Sequence, residues 1–303
     1  LYLHGGGHAD YHGNEIAVID IRAEAPAYSL LVERSAIADV RTDSNYYADG
    51  LPTSRHTYYS VWHVPQINKL LRFNAYSGMA YNGANNGGAG FDGPSARTKL
   101  IDAFDLNTNT WEPAEYGPTL EIFGSETSMC GDTSTGDVYA LSTYNDLYKW
   151  ARESNATTLA LSSAGSEGGG AAIVYDAATN SVFRFAGHAG GTVAKFDLTA
   201  GAKSAPTLSG PDAADLSGLT GDNYGWGIAH DPTRRVAWLM SATSAQVWRI
   251  DLATMYVARL VTTGATPTVA TNQVWSRLKY LSDLDAIVYL SKASEPILAM
   301  RCA

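Results

Sequence analysis

The amino-acid sequence predicts an all-β fold, a six-bladed β-propeller of four-stranded antiparallel blades whose terminal blades are incomplete. Composition is the first of three observations behind this. Of 303 residues, 29 are Gly, 18 Tyr, 7 Trp and 11 Pro against 21 Lys plus Arg, and 45% are hydrophobic. That is a balance of sheet formers and turn formers, with little material for long amphipathic helices. Second, one hairpin unit recurs. Apolar residues, a cluster of turn formers and apolar residues again appear in SVWHVPQINKLLRF (60–73), SMCGDTSTGDVYAL (128–141), AIVYDAATNSVFRF (172–185), GIAHDPTRRVAWLM (227–240) and LKYLSDLDAIVYL (278–290). Third, an Asp closes a later strand in AVIDI, DAFDL, AKFDL and WRIDL, at Asp20, Asp105, Asp197 and Asp251. NDLYKW (145–150) is a version without that Asp. Allowing for polar insertions at 39–55 and 83–97, the repeat is about 45 to 50 residues, the span of one four-stranded blade.

Six units follow, at about 1–40, 53–115, 124–165, 168–210, 223–265 and 273–303. No linker of domain-boundary type separates them, so 1–303 reads as a single domain. The first opens directly in its second strand, LYLHGGG, and the last stops after a third strand, PILAMRC, so both ends read as clipped. A β-sandwich is the alternative, and the even spacing favours the propeller.

Charge narrows the function classes. Net charge is −9 and no basic run is present, which removes the electrostatic footprint of a nucleic-acid binder. No apolar stretch approaches the roughly 20 residues of a membrane span, and no leader is read from a chain beginning with Leu1. Two cysteines, Cys130 and Cys302, make neither a disulfide framework nor a zinc pattern. Cys130 lies in an apolar first strand, where a buried, inert thiol is expected, and Cys302 in a third strand of a distant unit, so no disulfide is expected between them.

The double glycine of LHGGGH (3–8), its partial echo in FAGHAGG (185–191) and the run AFDLNTNTW (103–111) resemble kelch-type propellers, the group that includes the galactose oxidase central domain. GGGHADYHGNE and PTSRHTYYS are also similar to uncharacterised bacterial and phage kelch-like proteins. The resemblance implies a scaffold and no reaction. Copper chemistry of the oxidase type needs two Tyr, two His and a Tyr-linked Cys, and is not carried over.

In a four-stranded meander the second-to-third loop and the connection to the next unit emerge at the same end. All long insertions belong to that set, and binding residues concentrate on such loops. The expected ligand-binding residues are Asp10, Tyr11, Asn14, Tyr46, Tyr47, Asn85 and Asn86. The opposite end carries short turns, with His63 and His230 expected among them. His8, His56 and His188, with Asp10 as a carboxylate partner, are the residues available to a divalent metal, and no other cofactor is read. By resemblance to propeller polysaccharide lyases, Arg55, His56 and Tyr58 would neutralise a uronate carboxylate and abstract a proton; the structural alternative is that Arg55 and His56 pack at a strand entry.

The leading expectation is an extracellular or virion-borne recognition module that binds a glycan or protein surface through its loop-rich face. A polysaccharide lyase or hydrolase comes second. A structural component of a larger particle or filament, such as a phage tail, comes third, because incomplete terminal sheets leave strand edges open to pairing.

Overall fold

The computed structural model describes residues 1–4, 13–40, 46–54, 57–73, 101–112, 127–142, 146–162, 170–185, 193–219, 225–269, 273–292 and 295–302. They belong to two compact units, residues 1–126 with 151–157, and residues 127–150 with 158–303.

The described strands form six antiparallel sheets, each a meander in chain order. The first is β1 (Tyr2–His4), β2 (Ile16–Ile19) and β3 (Tyr28–Val32). The second is β4 (Val61–Val64), β5 (Lys69–Phe73), β6 (Ile101–Asp105) and β7 (Thr110–Trp111). The third is β8 (Ser128–Gly131), β9 (Val138–Leu141), β10 (Leu147–Ala151) and β11 (Ala156–Leu161). The fourth is β12 (Ala172–Asp176), β13 (Ser181–Phe185), β14 (Ala194–Asp197) and β15 (Ala202–Ser204), followed by the helix α1 (Ala213–Leu219). The fifth is β16 (Gly227–Asp231), β17 (Val236–Met240), β18 (Val247–Asp251) and β19 (Tyr256–Arg259), and the sixth is β20 (Leu278–Leu281), β21 (Ala286–Tyr289) and β22 (Leu298–Arg301). These are the blades of a six-bladed β-propeller fold, with the first and last at three strands.

The turns explain the repeat. Before the second strand of a blade stands a residue in the left-handed region: Asn68 (φ 50°), Asn180 (φ 45°), Arg235 (φ 55°) and Asp285 (φ 45°). The same happens before the fourth strand at Asn109 (φ 54°), Asn155 (φ 48°), Gly201 (φ 63°) and Met255 (φ 57°). A tight turn closed by one left-handed residue matches the twist of the flanking strands, and Asn tolerates that region better than most side chains. The recurring Asp has its own task. Its Oδ1 accepts from the backbone N–H two residues on, at Asp20–Arg22 (3.0 Å), Asp105–Asn107 (2.7 Å), Asp197–Thr199 (3.1 Å) and Asp251–Ala253 (2.9 Å). An Asx turn of this kind fixes where the third strand ends.

Alternation of side chains along the strands buries one core between adjacent sheets. Within the second unit, Phe183, Phe185, Trp226, Leu239, Trp248 and Ile250 pack together, and Val236, Trp238, Met240, Val274, Leu278 and Ile287 form a second cluster. Trp150, Trp226 and Trp248 are fully buried, and truncating such a side chain costs about 3 to 5 kcal/mol. The packing leaves no room at Gly227, where a Cβ would come 2.3 Å from Val274 Cγ1. In the first unit Ile16, Leu70 and Phe104 pack with Leu31, Val32 and Trp111.

Several local placements differ from the sequence reading. His63 lies within β4 and His230 within β16, because both turns begin later, at Pro65 and Pro232. The connection after the fourth sheet forms α1, docked on the fifth sheet where Arg259 N donates to Asp212 Oδ2 at 2.7 Å. Cys130 is buried in β8, where burial pushes its thiol well up, and Cys302 follows β22; both are free thiols.

Candidate functional site

Most residues of the sequence-predicted site lie between the strands of the first unit, whereas His188 falls between β13 and β14 of the second. The residues at the root of that site carry an unexpected charge pair. Arg72, in β5, is 1% exposed and Asp102, in β6, 4%. They face each other across the ladder as register partners. Arg72 Nε donates to Asp102 Oδ2 at 3.0 Å and Nη2 donates to the same oxygen. Nη1 donates to Thr53 O at 2.8 Å and to His4 Nε2 at 3.0 Å. The guanidinium also lies 5.5 Å from the centroid of Trp111, a cation–π distance.

This arrangement fixes the protonation of His4. A guanidinium only donates, so His4 Nε2 accepts, and the imidazole is neutral with its proton on Nδ1. Four of the five N–H donors of Arg72 are committed to protein acceptors. The pair is therefore a brace that ties β5 and β6 to β1 and to the segment at Thr53.

Two more polar residues complete the root. Asn14 is fully buried: its Nδ2 donates to Ser35 Oγ (2.8 Å) and Pro52 O (2.9 Å), and its Oδ1 accepts from Ser35 N (2.9 Å). Tyr47 is 2% exposed. Its hydroxyl donates to Ser54 Oγ at 3.1 Å and accepts from Ser54 N at 3.2 Å, and burial raises its phenol pKa against the pull of those bonds. Tyr46 is half-buried and its hydroxyl lies 3.4 Å from Asp102 Oδ1. Tyr58 is half-buried in the turn that leads into β4.

Of the residues expected to bind a ligand, Tyr46 is the described one that keeps substantial access to solvent; Asn14 and Tyr47 use their polar atoms inside the fold. Asp10, Tyr11, Asn85 and Asn86 lie outside the described residues, as do the expected metal ligands His8, His56 and His188 and the lyase candidates Arg55 and His56. Among the described residues no group of three or more His, Cys, Asp or Glu is placed to hold a metal.

Sequence reasoning passed over Arg72 and Asp102. The available signal was a charge in the middle of LLRF, a strand otherwise wholly apolar, with the echo VFRF placing Arg184 at the matching place of β13. Arg184 is also fully buried.

No protein-family profile matches the chain, and no curated protein matches it. Among solved structures it is similar to a chain in the crystal structure of the nidogen/laminin complex, with a TM-score of 0.55 at 6% identity, covering 96% of this chain and 87% of that one. At that identity the likeness concerns the fold.

Proposed function

We propose that this chain is an interaction module, of kelch type, that engages a protein partner through the long loops rooted on the Arg72–Asp102 brace. The observation that carries the reading is the construction of that root. Buried ion pairs and saturated amides are costly to assemble, and here they hold loop entries and exits rather than a reacting group. A rigid base under long polar loops suits recognition, and a scaffold of the same fold occurs in a structure of a protein–protein complex. Tyr11, Tyr46, Asn85 and Asn86 are the residues assigned to contact, and an extracellular or virion surface is the setting proposed for it.

The test is affinity capture with the full chain, compared with a Tyr11→Ala/Tyr46→Ala/Asn85→Ala/Asn86→Ala variant of unchanged thermal stability, run beside a glycan array and a uronate-polymer cleavage assay. A protein captured by the parent and lost by the variant supports the reading. Glycan binding without a protein partner, or unsaturated products that vanish with His56→Ala, would replace it.

A further inference from the structure

We propose that Arg277 and Ser291 form a binding site for a single carboxylate group, at the end of the sixth sheet where the connection from the fifth arrives. The site uses none of the loop residues assigned above, so it stands or falls apart from that reading.

The local chain holds Arg277 in place. Gln273 (φ 65°) and Trp275 (φ 48°) both take the left-handed region, and Val274 N and Trp275 N both donate to Gly225 O at 2.9 Å. The Gln273 side chain packs so closely on Gly225 that a Cβ there would come 2.1 Å from its Oε1. One short helical turn, Trp275–Arg277, then leads into β20. Arg277 N donates to Val274 O at 3.1 Å, and Arg277 O accepts from Leu290 N at 3.3 Å. The second of these bonds sets Ser291, the next residue, beside the turn. With its main chain tied on both sides, Arg277 presents its guanidinium from a fixed base, which lowers the ordering cost of binding.

What that guanidinium meets specifies the ligand. Arg277 is half-buried, and its Nη1 donates to Gln273 O at 2.8 Å. An arginine has five N–H donors, and among the described residues the others reach no acceptor and no carboxylate. Burial pulls its pKa below the ordinary arginine value, and the group that opposes this is the phenol of Tyr289 rather than an acid. The acids of this sheet are engaged elsewhere: Glu295 pairs with Lys292 at 3.0 Å, and Asp285 with Arg234 at the far turn, where Asp283 also lies. Ser291 supplies a second donor. It is 4% exposed, and its Oγ has no hydrogen-bond partner among the described residues. The serines at the matching place of two other sheets are used: Ser142 Oγ accepts from Asp146 N at 3.1 Å, and Ser241 Oγ from Thr243 N and Ser244 N at 3.2 Å. A buried hydroxyl left idle where its counterparts close a turn is costly, and a bound acceptor would satisfy it. One guanidinium and one hydroxyl balance a single negative charge, and the planar fork matches the two oxygens of a carboxylate better than it matches a phosphate dianion.

The probes are sodium acetate, the peptide acetyl-Gly-Glu-Gly-amide and inorganic phosphate, each titrated into the full chain at constant ionic strength. The Nε–H signal of Arg277 is followed by NMR on arginine-labelled protein, and Tm is read beside it against equal chloride. Acetate is expected to shift the signal saturably with a Kd of about 1 to 10 mM and to raise Tm, with phosphate binding no more tightly. A peptide that binds as well as acetate makes a protein side chain the source of the carboxylate, and acetate binding alone makes it a free acid; either result supports the site. Arg277→Lys keeps the charge and loses the fork, so the rise of Tm with acetate should vanish. Ser291→Ala removes a hydroxyl that bonds to nothing in the fold, so it should weaken acetate binding about fivefold while Tm without acetate stays level or rises. Should Arg277→Lys not fold, the serine variant carries the test alone. No saturable shift with acetate or peptide, tighter binding of phosphate, or an acetate affinity indifferent to Ser291→Ala would overturn the proposal.

Discussion

Arg235 grips Asp176 across two sheets, with Nε 3.0 Å from Oδ1 and Nη2 2.8 Å from Oδ2. Arg235 is the left-handed residue before β17, and Asp176 ends β12 and also accepts from Thr179 Oγ1 at 2.6 Å. Local turn and inter-sheet clamp are thus one structure. Burial pushes the Asp176 carboxyl up, but the bonds from Arg235 and Thr179 outweigh it and hold its pKa below the usual value. The fork is bidentate, so Lys cannot replace it. Asp176→Asn should lower unfolding stability by about 2 to 3 kcal/mol, the Arg side being partly solvated. In the parent, this contribution is present above the ordinary carboxylate pKa and fades as pH falls through the depressed one. Urea titrations of parent and variant between neutral and strongly acidic pH would show the two curves converging in acid; curves that stay parallel would sink the assignment.

His230 stands beside this clamp and carries a separate acid sensitivity. Burial lowers its pKa to about 4, against the opposing pull of Asp176 and Asp231. Its Nε2 is sealed from solvent without a hydrogen-bond partner among the described residues. The unfolded chain takes up this proton near pH 6.5 and the folded chain only near 4, so stability falls as pH drops through that window, by about 3 kcal/mol at most. His230→Gln should flatten the decline between pH 6.5 and 4. An NMR titration placing the His230 midpoint above 6 would contradict this account.

Arg72 and Asp102 should behave as a unit. Arg72→Met strands a buried carboxylate and should cost about 3 to 5 kcal/mol, whereas adding Asp102→Leu should recover much of that loss. The measurement is a double-mutant cycle by urea unfolding. Additive single losses would mean that the two side chains do not depend on one another.

The third sheet has Ala151 where four others place an Asp at the end of a strand, and it lacks the corresponding bond to the turn. Ala151→Asp, accepting from the N–H of Glu153 ahead of Asn155 (φ 48°), should raise Tm by about 2 °C. Differential scanning calorimetry reads the sign directly, and a lowered Tm would show that this turn has no place for the carboxylate.

The legible parts of the sequence were those governed by local rules. Turn clusters at 65–68, 177–180 and 232–235 marked hairpins because a tight turn needs a left-handed residue, and Asp20, Asp105, Asp197 and Asp251 marked strand ends because the Asx turn joins residues two apart. The root of the candidate site was not, because its contacts span Asn14 to Pro52, His4 to Arg72 and Tyr46 to Asp102. An Asn or Tyr in a polar loop looks identical whether it greets solvent or a partner main chain 38 residues away. The same limit hid α1, whose seven residues are held against β19 by tertiary contact rather than by any amphipathic period.

With the guanidinium of Arg72 turned inward onto Asp102, His4 and the main chain at Thr53, the two strands that flank residues 74–100 are tied to each other and to β1 by bonds that start outside that segment. Exchanging the segment that joins β5 to β6 leaves those bonds in place, because none of their atoms belongs to it. Such a division makes the chain a natural host for transplanted binding segments: a graft between residues 73 and 101 would inherit a finished floor.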